Sequence, residues 1–316
     1  MTMQTYEDLG DGITRIETGM IHDGLAACYL MQDGDECALI ETGTQHTVAL
    51  ILQLLEQRQI QREQVRYVIP THVHLDHAGG VGGLMRLLPN ATLLIHPRGA
   101  RHMIDPAKLK AGAIAVYGEQ QFAKIYGDVI AVDAARVREM PDGARIQLGS
   151  RTLVFYDTPG HAYHHFCVHD QQSNGIFTGD TFGLAYPSLT TAKGPFIFPT
   201  TTPVQFDPEA LKQSIRTLLA LHPEKMLLTH YGEVREPQSL GATLLAQIDD
   251  YVAMAQAVKA STDRSQWEPA LTARLTEYTL ARARAHGCKQ SDAELQQLLA
   301  MDMRLNAQGM VVWLSS

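Results

Sequence analysis

Short runs of alternating apolar and polar residues fill the first third of the chain. Residues 12–18 alternate and predict a strand. Residues 26–31 and 36–41 predict two more, joined through Gln32-Asp33-Gly34-Asp35, where Asp-Gly tolerates the positive φ of a tight hairpin. Between 47 and 59, Val48, Leu50, Ile51, Leu54 and Leu55 recur at helical spacing. The β-branched run 65–70 predicts a buried strand, a helix follows up to Leu88, and 91–96 predicts another strand. Residues 98–104 and 107–126 read as helices. Strand pairs are predicted at 144–149 with 151–156 and at 166–169 with 175–178. A loop rich in Thr, Pro and aromatics spans 181–207. Pro208 suits the first turn of a helix over 208–222, and 225–229 is a short apolar strand. Strands that alternate with helices, together with hairpins, indicate a mixed α/β domain.

The pattern changes after Pro237. Residues 246–260, 268–286 and 291–305 carry helical periodicity, and Ser291-Asp292-Ala293-Glu294 resembles a capping box. The apolar tail 309–314 is expected to pack rather than hang free. The organisation expected is a catalytic domain over 1–237 and an α-helical extension over 238–316.

Composition narrows the function classes. An apolar fraction of 45% over 316 residues supports a sizeable core. A net charge of −8 disfavours partners with a phosphate backbone, which require basic patches. Residues 1–12 are polar and acidic, with no export signal, and no apolar run approaches a membrane span. Cys28, Cys37, Cys167 and Cys288 form no C-x-x-C pair, which suits a reducing compartment and free thiols. These features predict a cytoplasmic chain with a small-molecule substrate and neither nucleic-acid nor membrane partners. The apolar helical tail is compatible with a homodimer.

The chemistry concentrates at strand ends. Thr71-His72-Val73-His74-Leu75-Asp76-His77 places four metal donors within six positions, between a predicted strand and a helix entry. Further donors stand just beyond other strand ends: His161 in Thr158-Pro159-Gly160-His161, Asp180 after Gly179, and His230 before Tyr231-Gly232. Imidazoles with carboxylates suit zinc, and also iron or manganese.

This ordered donor set resembles the dinuclear members of the metallo-β-lactamase superfamily, over about residues 12–236. The resemblance implies an αββα sandwich. It implies that His72, His74 and His161 hold one metal, that Asp76, His77 and His230 hold a second, and that Asp180 bridges them with a hydroxide. Two divalent ions, zinc before iron or manganese, are the implied cofactors. Such a centre carries a small net positive charge, makes hydroxide available near pH 7 and polarises a carbonyl. Asp76 and Asp180 are the expected catalytic residues, with Asp76 relaying a proton to the leaving group. Many members carry Asp in a D-x-G turn where this chain has Glu41-Thr42-Gly43. Glu41 is therefore expected to support a ligand histidine rather than to touch metal. Phe182, Tyr186, Phe196 and Phe198, which follow the Asp180 position, and Tyr117 and Tyr126 from a cap over the site, are the expected pocket residues.

The activity implied is hydrolysis of a small ester, thioester or lactone, similar to glyoxalase II and the acyl-homoserine-lactone hydrolases. The alternative is an iron-dependent oxygenase similar to persulfide dioxygenases, which use the same first three ligands. The acidic charge argues against the ribonucleases of the superfamily, and the lack of an export signal argues against antibiotic hydrolysis. The intact donor set argues against a sensor that has lost catalysis.

Overall fold

The structure is a computed structural model that describes residues 5–201 and 205–316; the side chains of Val116 and Tyr117 lie outside the description. The first sheet has seven strands in sequence order: β1 (Tyr6–Asp8), β2 (Ile13–Glu17), β3 (Ala27–Asp33), β4 (Glu36–Ile40), β5 (Val65–Ile69), β6 (Thr92–Ile95) and β7 (Val137–Glu139). β1 to β4 run antiparallel, and β4 to β7 run parallel. Between them come α1 (Thr47–Gln57), α2 (Leu75–Ala78), α3 (Val81–Leu87), α4 (Pro97–Ile104), α5 (Ala107–Tyr117) and α6 (Glu119–Tyr126). The second sheet has the order β13-β12-β11-β10-β9-β8, built from β8 (Arg145–Leu148), β9 (Arg151–Asp157), β10 (Phe166–Asp170), β11 (Gly175–Gly179), β12 (Lys225–Leu228) and β13 (Gly232–Arg235). Helices α7 (Pro208–Leu219), α8 (Pro237–Ser261), α9 (Trp267–His286) and α10 (Asp292–Ser315) complete the chain.

Two compact units emerge from the contacts. One comprises Met1–Asp157, His164–Gly179 and Glu224–Glu233; the other comprises Thr158–Tyr163, Asp180–Pro223 and Val234–Ser316. In the first unit the strands β3 to β6 are apolar on both faces because both faces are covered. Leu30, Leu39, Val68, Leu93 and Ile95 pack against Val48, Ile51 and Leu54 of α1, Leu84 and Met85 of α3, and Met103 of α4. The alternate positions Tyr29, Ile40, Ile69 and Leu94 face the second sheet and meet Phe155, Phe166, Val168, Phe177 and Leu227. Each such side chain contributes about 1.5–3 kcal/mol when fully buried. A one-residue slip would exchange the two faces and so swap the side chains that meet the helices for those that meet the second sheet.

Glycines at 79, 80, 82 and 83 let the helical segment after β5 approach other chain closely. A Cβ on Gly80 would lie 2.6 Å from the Thr42 carbonyl oxygen, and one on Gly82 would lie 2.0 Å from that of Ile130. This close approach places the loop between β5 and α3 beside the turn after β4.

In the second unit α8, α9 and α10 bury Leu244, Ile248, Tyr251, Leu271, Leu275, Leu299, Met303 and Met310. The apolar tail expected to pack is the end of α10, with Leu314 buried. Polar groups of these helices fix the segment after β11. Asn306 Oδ1 accepts from Thr201 N–H at 2.7 Å, and its amide donates to the Pro199 carbonyl at 3.1 Å. Gln247 Nε2 donates to the Ile197 carbonyl at 2.9 Å.

Three differences from the sequence reading stand out. β1, β7 and β13 are three- or four-residue strands too short to show a period. The helix expected over 107–126 is two, interrupted at Gly118 with φ of 77°. α8 begins at Pro237, nine residues before the expected start of periodicity at 246. The four cysteines are free thiols. Cys28 pairs in register with Ile16 and Cys37 with Gln32, so the two do not oppose each other. No helix among the described residues is long and apolar enough to cross a membrane.

Candidate metal centre

Parallel strand pairs end together and carry their polar successors to one side of the sheets. Ile40 of β4 is opposite Ile69 of β5, so Glu41 and Thr71 emerge as neighbours. Gly179 of β11 is opposite Leu228 of β12, and Asp180 and Thr229 follow. His72, His74, His161 and Asp180 form one group of potential metal donors, and Asp76, His77 and His230 form another. The donor atoms within each group lie within 4.8 Å of one another. His72, His77, His161, Asp180 and His230 are buried, whereas Asp76 is partly exposed.

The spacing suits a metal ion. Nitrogen and oxygen donors about 2.0–2.2 Å from a tetrahedral ion stand about 3.3–3.5 Å apart. Asp76 Oδ2 lies 3.5 Å from His77 Nε2 and 3.3 Å from His230 Nε2. Asp180 Oδ2 lies 3.2 Å from His161 Nε2, and His72 Nε2 lies 2.8 Å from His74 Nδ1. Neutral imidazole and carboxylate are the donor types that divalent zinc, iron and manganese take. Donor chemistry fits such ions, as does the spacing of the Asp76 and Asp180 pairs, whereas His72 and His74 stand closer together than two ligands of one tetrahedral ion.

Hydrogen bonds behind the donors assign their protons. The Glu41 carboxylate is buried and lies 2.9 Å from His77 Nδ1, which places the proton on Nδ1 and leaves the Nε2 lone pair facing Asp76. Thr71 donates its hydroxyl to the same carboxylate at 2.6 Å, so its oxygen accepts from His72 Nδ1–H at 3.1 Å. His72 Nε2 is thereby left as a lone pair. Thr71 N–H and the Thr229 hydroxyl also donate to Glu41, at 3.1 and 2.9 Å. His230 Nδ1 donates to the Leu25 carbonyl at 2.7 Å, which leaves its Nε2 without a proton. Three imidazoles therefore present unprotonated nitrogens, the state a metal requires.

Glu41 thus sits behind His77 and, through Thr71, behind His72. Sequence reasoning missed Thr71, Thr229 and the Leu25 carbonyl. A signal for the first two is a threonine directly before a donor, which occurs twice, in Thr71-His72 and Thr229-His230. His165 is fully buried, and a Cβ on Gly179 would lie 2.5 Å from its Nε2. His164 stacks 6.1 Å from the His72 ring. Burial, with His74, His102 and His96 nearby, lowers its pKa to about 3, so the ring is neutral.

Of the aromatic residues expected to line a pocket, Phe182, Tyr186, Phe196, Phe198 and Tyr126 are buried. Phe182 and Phe198 are 0% exposed and offer no accessible ring surface. Tyr186 is edge-on to Phe198 at 5.7 Å and donates its hydroxyl to Asp302 at 3.0 Å. Phe196 lies 6.0 Å from Phe198 and 5.5 Å from His286. Tyr126 is buried against Phe122 at 5.7 Å. The Tyr117 side chain lies outside the described residues.

Two packed sheets with a His/Asp cluster at their strand ends define an α/β protein with a candidate metal-binding site. Residues 23–230 match the metallo-beta-lactamase superfamily, and the chain belongs to it. Its αββα architecture is that of the superfamily's solved structures. The chain is 25% identical over 214 residues to the metallo-beta-lactamase fold-containing protein ST1585 of Sulfurisphaera tokodaii, covering 66% of this chain and 74% of that protein. The crystal structure of ST1585 superposes with a TM-score of 0.66 at 21% identity, over 95% of this chain and 98% of that one. The chain is 32% identical over 160 residues to the atrochrysone carboxyl ACP thioesterase of Aspergillus fumigatus, which is 48% of this chain and 38% of that protein. It is 26% identical over 188 residues to the human acyl-coenzyme A thioesterase MBLAC2, which is 55% of this chain and 65% of that protein. The chain thus spans less than two thirds of either thioesterase.

Proposed function

We propose that the protein is a dinuclear metal-dependent hydrolase of a small ester, thioester or lactone, with a thioester the leading case. The observation that carries this reading is the set of assigned protons. Buried acceptors hold His72, His77 and His230 with their lone pairs toward the donor groups, which is preorganisation for metal. The names of two relatives, both thioesterases, support the substrate class.

In this reading His72, His74, His161 and Asp180 would hold one ion, and Asp76, His77 and His230 would hold the other. Bound there, two divalent ions would make hydroxide available at neutral pH and polarise the substrate carbonyl. The chain's own residues then do the rest. Glu41 keeps His77 and, through Thr71, His72 in the ligating tautomer. Asp76, with its side chain 25% exposed, would accept the proton that the attacking hydroxide gives up on adding to the carbonyl and pass it to the leaving oxygen or sulfur. Residues 1–237 form the catalytic domain in this proposal, and 238–316 the helical extension.

The test is Asp180→Asn assayed beside wild type on matched acetyl ester, acyl thioester and lactone substrates, with metal content measured on the same samples. Loss of metal together with loss of hydrolysis is expected. Hydrolysis that survives after the metal is gone would overturn the mechanism. One iron per chain with sulfur-dependent oxygen uptake would overturn the reaction class.

A further inference from the structure

A second run of nitrogen groups starts at the metal loop and ends in solvent. The His164 ring lies 5.8 Å from the His74 ring and 6.1 Å from that of His102. Arg101 Nε reaches His102 Nε2 at 3.4 Å. Exposure rises along the run: His164 is buried, His102 half-buried and Arg101 exposed.

Hydrogen bonds fix the protons here too. Guanidinium can only donate, so His102 Nε2 accepts and the ring carries its proton on Nδ1. The Val73 backbone N–H points at His164 Nδ1 at 3.5 Å, which places the His164 proton on Nε2. Each ring thus keeps one N–H to give. Among the described residues, none of the three forms an ion pair with a carboxylate. Asp105, one helical turn after Arg101, accepts from Ala107 N–H at 3.2 Å, and Asp157 is engaged by His96 Nε2 at 3.1 Å. One permanent cation and two imidazole donors, with no acid to neutralise them, suit an acceptor that carries negative charge.

We propose that Arg101, His102 and His164 recognise an anionic group, so that the substrate is an acyl ester or thioester bearing a carboxylate or phosphate beyond its scissile bond. Recognition of the anion stands on these residues alone; the identity of the scissile bond rests on the hydrolase reading above. In binding, Arg101 donates its guanidinium N–H groups to the anion, His102 adds Nδ1–H, and His164 Nε2–H holds an oxygen nearer the donor cluster. No covalent step is involved.

The test uses calorimetric titration of the metal-loaded chain with butyrate, glutarate and 4-phosphonobutyrate. All three offer a carboxylate to the metals, and only the latter two offer a second anion. At least one of these two is expected to bind about tenfold tighter than butyrate, the gain from one charge-assisted hydrogen bond at a half-exposed site. The tighter of the two identifies the anion. Arg101→Ala and His102→Gln should each shrink the gain below about threefold, and Arg101→Lys should keep part of it. Equal binding of the three ligands, or a gain untouched in both Arg101→Ala and His102→Gln, overturns the proposal. Hydrolysis of a neutral and a carboxylated thioester separates the two claims. A binding gain with no hydrolysis removes the hydrolase reading and leaves this one, and hydrolysis without charge preference does the reverse.

Discussion

His77 Nδ1 lies 2.9 Å from Glu41 Oε1, and the carboxylate behind that contact is only 1% exposed. Thr71 N–H, the Thr71 hydroxyl and the Thr229 hydroxyl donate to the same group. One side chain therefore sets the orientation of His77 directly and of His72 through a hydroxyl.

Glu41→Gln keeps the shape but turns one acceptor oxygen into a donor that faces other donors. Metal affinity is expected to fall about 10- to 100-fold, the range for losing a hydrogen-bond partner behind a metal ligand. Stability without metal should fall by about 1–3 kcal/mol, because a buried donor loses its acceptor. Competitive chelator titration and urea unfolding of the metal-stripped chain measure the two effects separately. Unchanged affinity would show that Glu41 only fills space.

Gly179 is the last residue of β11 and the one before Asp180. Its φ is 48°, and a Cβ there would lie 2.4 Å from Thr71 Oγ1 and 2.5 Å from His165 Nε2. Gly179→Ala should cost about 2–4 kcal/mol, since a left-handed backbone and overpacking in a core add. It should also weaken metal binding, because Thr71 is the hydroxyl that links His72 to Glu41. Urea unfolding and chelator titration of the variant check both; a cost below about 1 kcal/mol would mean that the backbone relaxes freely.

Asn306 of α10 holds the segment after β11 through Thr201 N–H and the Pro199 carbonyl. Asn306→Ala leaves both buried and unpaired, at a cost of about 2–4 kcal/mol. Amide exchange in 196–201 should accelerate more than exchange in α9. Uniform protection loss across the helices would instead show that Asn306 supports the whole unit.

The donors were legible in the sequence because each is a His or Asp directly beyond a short apolar run, and because four of them crowd into residues 72–77. The strands β3 to β6 were legible for a related reason: burial on both faces leaves near-continuous apolar runs bounded by polar turns. What was hidden depends on partners distant in sequence. The fit of Gly80 against Thr42 and of Gly82 against Ile130 cannot be read from a helix entry alone. Nor can the convergence of Thr71, Thr229 and His77 on Glu41, which joins residues from four places in the chain. Phe182 and Phe198 were read as pocket candidates because they follow Asp180. Both are buried, and Gln247 and Asn306 hold Ile197, Pro199 and Thr201 beside Phe198, contacts that nothing in the 181–207 stretch announces.

The most direct measurement is metal stoichiometry by mass spectrometry of the purified chain, paired with acyl-thioester hydrolysis before and after chelation. The account predicts two divalent ions per chain, hydrolysis abolished by chelation, and recovery when zinc, iron or manganese is returned. Full hydrolysis by the metal-stripped chain, or a metal-loaded chain inert toward every ester, thioester and lactone tried, would contradict it.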